Sequence, residues 1–277
     1  MARGLRFTAL SVSTRQGDTV TTTAIEAAVL RVIGDMHTNL GQELTIDDMA
    51  RTAMFSKFHF TRVFRDVTGT SPGRFLSVLR LQEAKRLLIE TKFSVADISS
   101  QVGYSSVGTF SSRFKACVGV SPSMFRDRGG FTPEIVSGPL PSPSVPGIRS
   151  TLRGRVQMTE GRSSGYCFVG LFPTPVPQGQ PVRCTVLEGP GAFELRDVPV
   201  GTWYVLVHSV PYGSEHLPSG TGDDDTVSVG RYGPVTAHAD TLLMPAEITL
   251  RPLEATEPPV LMALLDLRTH AMEAVAS

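Results

Sequence analysis

Two stretches of this chain carry the same residue pattern, and that duplication constrains the fold more than any other feature. Ser94 and Asp97 repeat Thr45 and Asp48, and Val95 and Ile98 repeat Ile46 and Met49, at an offset of 49. Further along the offset becomes 50. Phe110 then repeats Phe60, Phe114 repeats Phe64, Lys115 repeats Arg65 and Gly119 repeats Gly69. Ser121–Pro122 repeats Ser71–Pro72, and Phe125 repeats Phe75. The extra residue falls in the second copy near Gly103–Tyr104. Two copies of one small unit are expected to fold alike.

The spacing within each copy is helical. Thr45 with Asp48, and Ser94 with Asp97, have the hydroxyl-and-carboxylate spacing that closes a helix start from both sides. In the first copy Met49, Ala50 and Ala53 form the buried side of a short helix. Ser56 then caps a second helix with Phe60, Val63, Phe64 and Val67 on one face, ending at Gly69. A longer helix follows Pro72, from about Gly73 to Glu90, with Phe75, Leu79, Ala84, Leu87 and Leu88 inward. Ahead of the first copy, Ala28, Val29, Val32, Ile33 and Met36 recur at helical spacing, and Asn39–Leu40–Gly41 stops that helix. Residues 1–23 are polar and lack a period, which predicts a disordered tail.

Charge and proline divide the chain at one place. Residues 1–130 carry 17 Lys and Arg against 11 Asp and Glu, and the remainder carries 9 against 15, so the formal net charge of zero hides two opposite halves. Of the 20 prolines only Pro72 and Pro122 lie in the first half. Residues 131–149 hold Pro133, Pro139, Pro141, Pro143 and Pro146, a density that predicts an extended linker. The expected organisation is a tail over 1–23, an all-α unit over 24–130, the linker over 131–149 and a β domain over 150–277.

A short capped helix, a tight turn and a second helix with an aromatic inner face make a helix-turn-helix, and here there are two. Its second helix suits the major groove, which is about 12 Å wide. The outward positions of the first such helix are Lys57, Phe58, Thr61, Arg62 and Arg65. Arg62 is suited to a guanine edge and Phe58 to a thymine methyl, while Lys57 and Arg65 neutralise phosphates. His59 either donates to a phosphate or sits on the helix flank. The second helix offers Ser106, Val107, Gly108, Thr109, Ser111, Ser112 and Arg113, most of them small and uncharged. It is expected to position the protein and to read little sequence. A basic stripe alone is commonly a solvated face; the duplication, the paired caps and the positive half favour DNA.

The segment from Leu44 to Arg126 resembles the DNA-binding domain of AraC/XylS-type bacterial transcription regulators. The stretch SVADISSQVGYSSVGTFSSRFKACVGVSP is similar to the family's signature segment. The likeness covers residues 25–128. It implies a monomeric module that lays two parallel helices into successive major-groove segments of double-stranded DNA. The family's base-contacting positions fall on Phe58, Thr61 and Arg62, and on Val107, Gly108, Thr109, Ser111 and Ser112. Many relatives carry Gln or His where this chain has Val107 and Gly108, and Arg where it has Ser112. Many also place an effector or dimerisation domain ahead of this module, whereas here the second domain follows it.

In the acidic half, Leu152–Met158, Tyr166–Phe172, Val182–Leu187, Phe193–Arg196, Thr202–Val210 and Ile248–Arg251 read as short strands between Pro and Gly turns, which predicts an antiparallel β-sandwich. The run GAFELRDVPVGTWYVLVHSV resembles carboxypeptidase-regulatory-like, transthyretin-like β domains, with Asp197, Pro199 and Gly201 at its turn. Residues 260–274 read as a closing helix or a last strand. Cys167, Cys184, His208, His216 and His238 lack the spacing of a metal site and read as buried cysteines and scattered histidines. Asp223–Asp224–Asp225 lack the alternation of a calcium loop.

The fold class expected is therefore α + β in two domains, with no catalytic set, cofactor or metal. The three cysteines, the lack of a membrane-length apolar run and the lack of a secretory leader predict a reduced, cytoplasmic protein. The expected function is sequence-specific regulation of transcription, with RNA polymerase as a further partner and a small-molecule effector or protein partner at the β domain. The rival expectation is a non-catalytic sensor or adaptor whose β domain binds protein or carbohydrate.

Overall fold

The computed structural model describes residues 16–130, 150–159, 165–177, 181–211, 227–238 and 242–259. The linker over 131–149, residues 260–274, His216 and Asp223–Asp225 lie outside them. Among the described residues seven helices come first: α1 Gln16–Thr38, α2 Ile46–Ala53, α3 Lys57–Thr68, α4 Pro72–Glu90, α5 Val95–Gln101, α6 Val107–Val118 and α7 Pro122–Asp127. Seven strands follow within the described residues: β1 Ser150–Met158, β2 Gly165–Phe172, β3 Arg183–Leu187, β4 Ala192–Val198, β5 Gly201–Pro211, β6 Ser228–Ala237 and β7 Ala246–Pro252. Among the described residues no helix is long and apolar enough to cross a membrane.

Both predicted capping boxes are formed. The Asp48 amide donates to the Thr45 hydroxyl at 3.2 Å while the Thr45 amide donates to the Asp48 carboxylate at 3.1 Å. Asp97 and Ser94 repeat the exchange, at 3.1 Å in each direction. Each box satisfies two of the amides that a helix start leaves open. α1 differs from expectation at its start: it begins at Gln16, inside the stretch read as a tail. Extending a helix already anchored by packing adds one backbone bond per residue, so polar residues upstream of the apolar stripe can join it.

The helical half has two cores, and α4 serves both. Ala28, Val29, Val32, Ile33 and Met36 of α1 pack with Phe60 and Phe64 of α3 and with Phe75, Leu76 and Leu79 of α4. The other side of α4 gives Val78, Leu81, Ala84, Leu87 and Leu88 to a second core with Ile98, Phe110, Phe114 and Phe125. The duplication survives at the level of ring geometry. Phe60 and Phe64 lie 5.5 Å apart, as do Phe64 and Phe75. In the second core Phe110 and Phe114 are 5.7 Å apart, and Phe114 and Phe125 are 5.5 Å apart. Such tilted and edge-on pairs bring the positive ring edge to the negative face.

Two arginines tie α4 to its surroundings. Arg80 donates to the carbonyls of Leu40 at 2.9 Å and Gln42 at 2.6 Å, fixing the loop after α1. Arg126 donates to the Leu88 carbonyl at 3.1 Å and the Phe93 carbonyl at 2.7 Å, which caps the end of α4 from α7.

The strands pair in the order β3-β2-β5-β6-β7-β1-β4. This corrects two parts of the sandwich expectation. The sheet is continuous, because β7 pairs with both β6 and β1, and the β1–β7 pair is parallel. The sheet also curls: the edge strands β3 and β4 approach, and Arg183 on β3 donates to the Arg196 carbonyl on β4 at 3.2 Å. Leu152, Val156, Cys167, Val169, Leu171, Phe193, Leu195, Val205, Val207, Ile248 and Leu250 fill the inside. The Asp197–Gly201 turn is set by φ values of 57° and 148° at its two ends, and Trp203 donates back to the Pro199 carbonyl at 2.8 Å.

Candidate nucleic-acid interface

α3 begins where Ser56 accepts from the His59 amide, and α6 begins where Ser106 accepts from the Thr109 amide. Each helix is 12 residues long and ends on a left-handed glycine, Gly69 or Gly119. With start and stop fixed and Phe60, Val63 and Phe64 committed to the core, the helical period dictates which side chains of α3 point outward. Lys57, Phe58, Thr61, Arg62 and Arg65 line one shallow groove together with Asp66. The structure thus brings together the five outward positions expected from the sequence. Phe58 is 90% exposed, a large apolar surface that the core does not use.

Local hydrogen bonds refine several of these roles. Lys57 reaches back to Asp47 of α2, with its ammonium 2.9 Å from the carboxylate. Both side chains are exposed, so the pair is weak. The Thr61 hydroxyl donates to the Lys57 carbonyl at 2.9 Å. His59 is half-buried with its ring edge-on to Phe55 at 4.8 Å, which places it on the helix flank. Among the described residues Arg62 and Arg65 make no ion pair, so α3 presents two uncommitted guanidiniums.

On α6, Ser106, Val107, Gly108, Thr109 and Ser112 are exposed and Ser111 is half-buried. Arg113 leans toward α4, where it donates to the Ser77 hydroxyl at 3.4 Å. The Tyr104 hydroxyl meets the same Ser77 oxygen at 3.3 Å, and burial raises the Tyr104 pKa. This contact places Arg113 beside α4 and Tyr104, a role that local spacing does not announce.

The turn between helices differs between the copies. In the first it passes through Met54, in the left-handed region at φ 60°. In the second the extra residue provides Gly103 at φ 83°, against the Leu40 carbonyl and the Arg80 guanidinium. A β-carbon there would stand 2.5 Å from that carbonyl oxygen, so both conformation and space require glycine.

Among the described residues no three His, Cys, Asp or Glu side chains converge as metal ligands. Cys167 and His208 are buried, and Cys184 and His238 are exposed.

Residues 49–128 match the family described as a helix-turn-helix domain. The activator AarP of Providencia stuartii is 38% identical over 88 residues, 32% of this chain and 65% of that protein. The lactose operon activator of Staphylococcus xylosus is 33% identical over 91 residues, a third of each protein. The probable transcription factor PqrA of Proteus vulgaris is 36% identical over 86 residues, which span 31% of this chain and 70% of that relative.

This chain belongs to the AraC-type family of transcription regulators.

The family match begins at residue 49 and ends at residue 128, so α1 and the whole β domain lie outside it. The chain spans just under two thirds of AarP and a third of the lactose operon activator. For an AraC-type helical half, both helix-turn-helix units and the joining helix α4 are in place.

Proposed function

We propose that this chain is a sequence-specific regulator that binds double-stranded DNA by laying α3 and α6 into adjacent segments of the major groove. One observation carries the reading: two helix-turn-helix units built on the same caps and the same aromatic triplet share α4 as a common strut, and α3 leaves Lys57, Phe58, Thr61, Arg62 and Arg65 outward together. In this reading Arg62 donates to a guanine edge, Phe58 covers a thymine methyl, and Lys57 and Arg65 neutralise phosphates. α6 has small side chains at the matching positions, so it holds position and contributes little sequence discrimination. The acidic β domain senses a ligand or meets a partner.

Selection of bound fragments from a random DNA pool, followed by gel shift at stepped salt, tests the proposal. The expected result is one enriched motif whose affinity falls steeply as salt rises, because phosphate neutralisation releases counterions. Enrichment of no motif, with weak and uniform binding, would instead favour the adaptor reading.

A further inference from the structure

The curled sheet has a second apolar face, pointing away from the core that the strands enclose. Strand register puts Phe168 opposite Val186 on one side and His208 on the other, and puts Leu206 opposite Arg231. Their neighbours Cys167, Val169, Val205 and Val207 point into the enclosed core. A solvated outer face would carry polar side chains. Here Phe168, Phe172, Leu206 and His208 are all at least nine-tenths buried.

A cavity of about 340 Å³ lies over this face, with Pro181 and Thr68, the last residue of α3, completing its wall. That volume is within the usual range for small-molecule sites, about 300–1,000 Å³. Two cations border it, and they differ. Arg251 is held by both oxygens of Glu257 at 2.7 Å, so its charge is matched. Arg231 is exposed at the rim and, among the described residues, has no carboxylate partner.

We propose that this cavity binds a small aryl or alkyl carboxylate, with its apolar body against Phe168, Phe172 and Leu206 and its carboxylate on Arg231. The proposal deepens the ligand-sensing part of the function proposed above and rests on it. It also supplies a link to the DNA-binding half. One Arg231 nitrogen stands 3.2 Å from where a β-carbon on Gly69 would lie, at the C-terminal end of α3. The last carbonyls of a helix carry partial negative charge. A bound carboxylate and the end of the recognition helix therefore compete for one guanidinium.

Calorimetric titration of the full chain without DNA tests the site, using 4-phenylbutyrate and its neutral counterpart 4-phenylbutan-1-ol. The wild type is expected to bind the carboxylate more tightly. R231Q is expected to lose about tenfold or more of carboxylate affinity, the scale of a charge-assisted hydrogen bond, and to bind the alcohol unchanged. L206W fills the cavity and should abolish both; V186W, on edge strand β3, serves the same purpose if L206W does not fold. Equal affinity of R231Q and wild type for the carboxylate overturns the proposal, as does saturable binding that survives both filling variants, or its absence in wild type for phenylbutyrate, hexanoate and octanoate alike. Amide exchange at residues 68–70 is expected to change with phenylbutyrate in the wild type and not in R231Q; unchanged wild-type exchange overturns the link. No measurement here contains DNA, so failure of the site is distinguishable from failure of the DNA-binding reading.

Discussion

Phe114 and Phe125 stand 5.5 Å apart at an interplanar angle of 74°, and fifty residues earlier Phe64 and Phe75 stand at the same distance at 87°. In both copies the pair locks the second helix of the unit, α3 or α6, against the phenylalanine that follows the next Ser–Pro start. In the first copy that residue lies on α4, in the second on α7. The two pairs are equivalent anchors in separate cores.

Loss of either anchor should therefore cost stability. Phe64→Ala and Phe114→Ala each empty a fully buried ring site and are expected to destabilise the helical half by about 3–5 kcal/mol. Phe58→Ala, on the same helix as Phe64 but 90% exposed, should change stability by less than about 0.5 kcal/mol and weaken DNA binding. Urea unfolding alongside gel shifts separates the cases. Equal stability losses for Phe58→Ala and Phe64→Ala would contradict the inward and outward assignment of α3.

The cations of α3 should divide into readers and neutralisers. Arg62→Ala is expected to cost about 1–3 kcal/mol on the selected motif and to relax preference at one base position. Lys57→Ala should weaken all sequences alike and reduce the salt slope by about one. Asp47→Ala removes the carboxylate 2.9 Å from Lys57 and should tighten binding to any sequence at low salt. An unaltered motif and affinity for Arg62→Ala would remove it from the base-reading role.

Met54 occupies a left-handed position without being glycine. Met54→Gly removes the clash of its β-carbon with the backbone and is expected to stabilise the fold by about 1 kcal/mol. The Met54 side chain is 84% exposed, so little packing is given up. Thermal unfolding measures the gain, and a lower midpoint would show that the side chain matters more than the backbone.

The first capping box should respond to acid. The Thr45 hydroxyl, then the Thr45 backbone amide, hold the Asp48 carboxyl below its usual range, with Arg51 adding to the effect. A carboxylate with a lowered folded-state pKa contributes stability above its unfolded value of about 3.9, and loses it as pH falls through the folded value. Stability should accordingly fall below about pH 4, and less so in Asp48→Asn, which has no carboxyl to protonate. Identical acid limbs for the two proteins would count against the box as a pH-dependent element.

The helical half was legible because local rules agree there. Thr45, Ser56 and Ser94 mark helix starts, Gly69 and Gly119 mark stops, and the helical period assigns every face between them. That is why the outward set of α3 could be read residue by residue. Arg80 and Arg126 escaped because their acceptors lie 33 to 40 residues away in sequence, and neither sits in a motif. β6 escaped because Gly230, Gly233 and Pro234 read as turn residues, yet the strand pairs along β5 with a register shift between Trp203 and Val205. The parallel β1–β7 pair leaves no local signal at all. The cavity was illegible for the same reason: only the pairing register puts Phe168, Leu206 and Arg231 on one side of the sheet.

Because α4 lends opposite flanks to both cores, it sets the rotational phase between the two units as a shaft sets the angle between two cranks. One residue inserted in its middle would turn the second unit by about 100° and advance it by about 1.5 Å. Under the proposed binding mode, divergence of a binding site within this architecture is therefore confined to exchanging side chains at fixed positions, and the spacing between the two groove segments it would contact is inherited with the length of a single helix.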